Sequence, residues 1–104
     1  MKNNNDSVGT LIVKAKLFLK DGYTLYKRAL PRHRIKGFDK AFVGEIIFDS
    51  NSFDSTMNGN IVTVEILSNN NLLNIIRDVK NWNIYSGQDV IGELKLLEVL
   101  SYDF

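Results

Sequence analysis

From Thr10 to Lys20 the chain alternates without a break. Leu11, Val13, Ala15, Leu17 and Leu19 fall on one face of an extended chain, and Ile12, Lys14, Lys16, Phe18 and Lys20 on the other. A period of two fits a half-buried β-strand. Ile61 to Leu67 repeats the pattern, with Val62, Val64 and Ile66 on one face and Thr63 and Glu65 on the other. Trp82 to Leu100 reads as two strands around Ser86-Gly87-Gln88-Asp89, a turn by composition. In the second of these strands Leu94, Leu96 and Leu100 are expected to share the core-facing side.

The rest of the chain supplies shorter pieces. Asp21-Gly22 is a favoured two-residue hairpin turn, which makes Tyr23 to Arg28 the expected return strand. Pro31 cannot donate to a ladder and marks an edge or a strand start, with Arg32 to Lys36 as a strand after it. Gly37 to Lys40 reads as a turn and Ala41 to Phe48 as a strand. Residues 49–60 have the composition of a loop. Leu72 to Val79 is ambiguous: Leu72, Ile76 and Val79 have helical spacing, but the β-branched content favours strand or irregular structure. Short strands, turns every 8–15 residues and a single proline predict an all-β fold. Closure into a barrel removes the exposed edges. The expected architecture is a small closed antiparallel β-barrel of Greek-key type with about six strands. A flexible segment at residues 1–8 precedes a single domain at 9–104.

With 104 residues the chain suits one domain. There is no cysteine, which excludes disulfides, thiolate catalysis and Cys-ligated zinc. Met1 to Ser7 has no apolar run and predicts no signal peptide. No apolar run approaches the ~20 residues of a membrane span. A cytoplasmic protein without a membrane partner is expected. Charge is unevenly placed: residues 1–40 hold ten Lys or Arg against three Asp or Glu, and residues 41–104 hold three against nine. Such asymmetry between halves can mark a face for a partner.

Met57-Asn58-Gly59 followed by Ile61-Val62-Thr63-Val64-Glu65-Ile66 resembles a Met-Pro-Gly turn and the Val-x-Val-x-Val strand after it in the C-terminal (third) β-barrel domain of elongation factor Tu. That family ends on a strand, a Gly-bearing turn, Val-Gly-x-Gly and an apolar strand. Ile84, Gly87, Ile91-Gly92-Glu93-Leu94 and Glu98-Val99-Leu100 fall in those places. Upstream, Gly22-Tyr23-Thr24-Leu25-Tyr26, Ala29-Leu30-Pro31-Arg32-His33-Arg34-Ile35 and Val43-Gly44-Glu45-Ile46 are similar to further family segments, so the resemblance covers roughly residues 10–100. It implies a free-standing barrel with translation-factor-like contacts to protein or to tRNA-like RNA. The two preceding domains have no counterpart here, so it implies no GTPase. Arg32, His33 and Arg34 replace the family's Gln and flanking aromatics.

The chemistry-bearing motifs are thin. Gly87-Gln88-Asp89-Val90-Ile91-Gly92 has the glycine spacing of a phosphate loop, but Glu93 and Leu94 stand where Lys and Ser/Thr are required, so no nucleotide is expected. Asp49 to Asp54 begins like a calcium loop, but Phe53 takes a ligand position and the glycine and distal Glu are missing. His33, the only histidine, has Arg32 and Arg34 as neighbours and no second histidine for a metal; a surface or barrel-rim place is expected for it. Trp82, Phe38 and Phe42 suit a barrel core better than a base-stacking platform. These points predict no enzyme, no cofactor and no metal.

The segment above background is basic. Lys27, Arg28, Arg32, Arg34, Lys36 and Lys40 lie within fourteen residues, with His33 among them and only Asp39 opposing. On a strand, Arg32, Arg34 and Lys36 project to one side. The expected partner-binding residues are Lys27, Arg28, Arg32, His33, Arg34 and Lys36. A protein partner is the leading expectation, through a translation-factor-like or effector-neutralising contact. The alternative is tRNA-like RNA through residues 27–40. The plainest reading is a solvated face or an edge guarded against aggregation.

Overall fold

The computed structural model describes residues 7–104; the flexible segment expected at 1–8 lies outside the described residues except for Ser7 and Val8. The elements in chain order are β1 (Gly9–Leu19), β2 (Thr24–Tyr26), β3 (Arg32–Arg34), β4 (Phe42–Ile47), β5 (Ser52–Asp54), a 3-10 turn (Ser55–Met57), β6 (Ile61–Ser68), α1 (Asn70–Val79), β7 (Asn81–Ser86) and β8 (Asp89–Asp103). Six strands close an antiparallel barrel in the order β1-β6-β4-β3-β7-β8, as the alternating strands demand, and β2 and β5 form a separate two-stranded sheet.

β1 is the longest-paired stave. It runs antiparallel to β6 on one side and β8 on the other, and buries Leu11, Val13, Ala15, Leu17 and Leu19 as its alternation requires. Val62, Val64 and Ile66 of β6 and Trp82 and Ile84 of β7 join them in one core. The Trp82–Leu100 hairpin forms around Gly87, which takes a positive φ of 61°. Gly92 lies in β8 beside Phe18 and Leu19, where a Cβ would strike the Phe18 carbonyl. Its glycine therefore serves close strand approach. Asn58 locks the turn before β6 to the end of β1: Leu19 N–H donates to Asn58 Oδ1 (2.7 Å) and Asn58 Nδ2 donates to the Leu19 carbonyl (2.9 Å).

Three expectations need correction. Residues 72–79 are helical. Asn69 caps α1 by accepting from Leu72 N–H (2.9 Å), and Lys80 ends it in the left-handed region at φ 69°. Leu72, Leu73 and Ile76 enter the core on one side, and this packing outweighs β-branched propensity. The helix also carries the chain past β4 and β3 to β7. Asp21-Gly22 does form a turn, but the return strand is short and pairs with β5 rather than β1, because both edges of β1 are already taken. Residues 49–60 accordingly contain β5 and a 3-10 turn capped by Asp54, which accepts from Thr56 N–H (2.9 Å).

The third correction concerns β8. Its pairing with β1 jumps from Leu96↔Ala15 to Glu98↔Lys14, and again from Val99↔Val13 to Ser101↔Ile12. Leu97 and Leu100 are the extra residues of two bulges, and each bulge reverses the inward phase. Leu94 is buried, Leu96 is half-buried, and Val99 packs against the core where strict alternation would have put Leu100. Leu100 itself is 43% exposed. Leu94→Ala is therefore expected to cost about 2–5 kcal/mol in urea unfolding. Leu100→Ala is expected to cost under about 1 kcal/mol. Equal losses would mean that the bulges do not exist in solution.

Candidate functional site

β3 has three residues, and what it exposes depends on what it hides. His33 points inward and is 0% exposed. Its Nδ1 accepts from the Trp82 indole Nε1–H (2.9 Å). An indole nitrogen can only donate, so Nδ1 carries no proton. The proton must then sit on Nε2, which donates to the Gly44 carbonyl (3.0 Å). The ring stacks on Phe42 at 5.1 Å between centroids. The expected surface place for His33 is thus wrong, and it cannot touch a partner. Full burial is uncommon for histidine, but here both ring nitrogens are satisfied.

Burial lowers the His33 pKa from 6.5 to about 4, although the hydrogen bond to Gly44 opposes part of the shift. Protonation would also turn Nδ1–H against the Trp82 N–H, two donors facing each other. The imidazole is neutral at pH 7 and serves as a structural clasp.

With His33 inside, strand alternation turns Arg32 and Arg34 outward, and both are exposed. Arg32 lies opposite Tyr85 and Arg34 opposite Asn83 on β7. Next to them the β7–β8 turn and the segment before β3 leave two adjoining grooves. One, of about 490 Å³, is lined by Arg32, Arg34, Tyr85, Gly87 and Gln88. The other, of about 540 Å³, shares Arg32, Tyr85, Gly87 and Gln88 and adds Leu25, Ala29, Leu30, Pro31, Ser86 and Ile91. The joint cleft has a cationic end and an apolar end, and no Asp or Glu lines it.

The other basic residues lie apart. Lys36 is exposed, but it falls in the turn after β3 rather than on the strand. Lys27 and Arg28 line a different groove with Glu45, Ile47 and Phe48, and Arg28 takes a left-handed φ of 67°. Lys40 borders an apolar groove of about 310 Å³ with Phe38, Ala41, Val43 and Leu67. Of the six residues expected to bind a partner, the fold gathers two, Arg32 and Arg34. Leu30, Tyr85 and Gln88 join them unannounced. Tyr85 and Gln88 are distant in sequence, and only the β3–β7 register brings them near. The inward turn of His33 was foreshadowed by parity, since a face holding Arg32 and Arg34 leaves His33 and Ile35 on the other.

Among the described residues no group of three or more His, Cys, Asp or Glu is placed to hold a metal ion. No helix among them is long and apolar enough to cross a membrane. No protein-family model and no curated protein matches the sequence.

The clasp has a pH signature. Because the folded pKa of His33 lies below its unfolded value, its stabilisation is complete above pH 6.5 and is lost as pH falls toward about 4. A gap of this size is worth about 3 kcal/mol. Chemical denaturation at pH 7 and pH 4 is expected to show a loss about 3 kcal/mol larger for the wild type than for His33→Phe, which cannot titrate. Identical pH dependence in the two proteins would contradict the clasp.

Proposed function

We propose that this barrel is a non-enzymatic binding module that engages a protein partner through the cleft at Arg32 and Arg34. The observation that carries the reading is the pair of exposed guanidiniums on one outward strand face, bordering a groove without a carboxylate. Guanidinium forks match carboxylates bidentately, so an acidic partner surface suits the cleft. The closed barrel supports the translation-factor-like character implied by the resemblance to the third domain of elongation factor Tu. The buried histidine, with both nitrogens engaged in structure, offers no general base. RNA is the second reading, favoured by the same cations and by Tyr85 beside them.

The double variant Arg32→Ala/Arg34→Ala tests the reading. Both side chains are outward, so the melting temperature is expected to stay within a few degrees of wild type. Capture of a partner from a nuclease-treated lysate of the source cells is expected to be lost in the variant. Survival of capture would reduce the two arginines to a solvated face. If instead nuclease abolishes capture by the wild type, RNA replaces protein, and the salt dependence of binding should then be steep, with a log–log slope of ~0.7 per phosphate contact.

A further inference from the structure

The cleft has a shape and polarity that narrow its ligand. Arg32 and Arg34 occupy alternate positions of β3, a step of roughly 6.5–7 Å, and Leu30 lines the same cleft two residues before Arg32. An extended peptide laid beside them presents alternate side chains at the same interval. The end of the cleft at Leu30 and Pro31 is floored by the buried side chains of Leu25 and Ile91, while Leu30 itself is 62% exposed. An uncovered leucine over an apolar floor gains from an apolar cover. The other end holds the two guanidiniums with Tyr85 and Gln88. A nucleic-acid strand is served less well, because Tyr85 is the single aromatic ring in the cleft and successive bases need several stacking partners.

Resting on the binding-module reading, we propose that the cleft takes a short extended acidic peptide. One apolar side chain sits over Leu30 and Pro31, and two carboxylates at alternate positions pair with Arg32 and Arg34. Charge complementarity selects the peptide, and the apolar end sets its register. Its chain direction follows from which end carries the apolar residue.

Two synthetic peptides test this, acetyl-Leu-Ser-Glu-Ser-Glu-Ser-amide and the reverse order acetyl-Ser-Glu-Ser-Glu-Ser-Leu-amide. Each is titrated against the ¹⁵N-labelled full chain. Saturable binding of one of them is expected, with amide shifts confined to residues 30–34 and 85–88. Replacing either Glu by Gln in the peptide, or Arg32 or Arg34 by Ala in the protein, is expected to weaken binding about tenfold. Replacing the peptide Leu by Ser, or Leu30 by Ser, is expected to weaken it severalfold, since one buried apolar side chain is lost. No saturation by either peptide, or equal binding of the Gln forms, overturns the proposal. A uridine oligonucleotide that shifts the same amides when neither peptide does overturns it in favour of RNA. If the peptides fail while Arg32→Ala/Arg34→Ala still abolishes capture of a protein partner, this inference falls and the binding-module reading stands. If capture also survives in the double variant, both fall.

Discussion

The imidazole of His33 holds together the thinnest seam of the barrel. β3 has three residues, pairing with β4 at Arg32 and His33 and with β7 at Arg32, His33 and Arg34. A stave this short contributes few ladder hydrogen bonds, and closure without it would expose the edges of β4 and β7. His33 reaches both neighbours through its side chain, to the Gly44 carbonyl on β4 and the Trp82 indole on β7. Both groups are buried, so each bond also spares a polar atom that would otherwise be unsatisfied. Gly44 makes the arrangement fit. A Cβ there would lie 3.0 Å from His33 Nε2, 3.1 Å from Ile66 Cγ1 and 3.2 Å from Val64 Cγ1, too close unless all three gave way.

The same clasp orients the outer surface. Side chains of a strand alternate, so fixing His33 inward fixes Arg32 and Arg34 outward, over the cleft beside the β7–β8 turn. The outer face of β3 and its contribution to the core are therefore set by one residue. A slip of β3 by a single position would bring two guanidiniums inside and put the imidazole in water, at a large desolvation cost. Core chemistry thus specifies the register that the candidate site needs.

Much of this was legible in the sequence where a single local pattern decides the structure. The alternation in β1 and β6 fixes which side is buried, and the Gly87 turn fixes the β7–β8 hairpin. What was not legible depends on distant partners. The helix at Asn70–Val79 exists because Leu72, Leu73 and Ile76 find the core, and its local propensity was ambiguous. The bulges at Leu97 and Leu100 come from pairing the twelve residues Gly92–Asp103 with the ten residues Thr10–Leu19 of β1, which no pattern within β8 announces. The site was half visible. The parity of Arg32 and Arg34 was plain, but Tyr85 and Gln88 enter through strand register, and the burial of His33 becomes evident only with Trp82 and Gly44 beside it.

The clasp is tested most directly by long-range ¹H–¹⁵N correlation of the His33 ring. A single neutral tautomer is expected, with the proton on Nε2 and an unprotonated Nδ1, unchanged through pH 6.5 and titrating only near pH 4. A ring that exchanges between tautomers, or that titrates at an ordinary value near 6.5, would contradict it. Such a ring would be in solvent, with no clasp to hold Arg32 and Arg34 on the outer face.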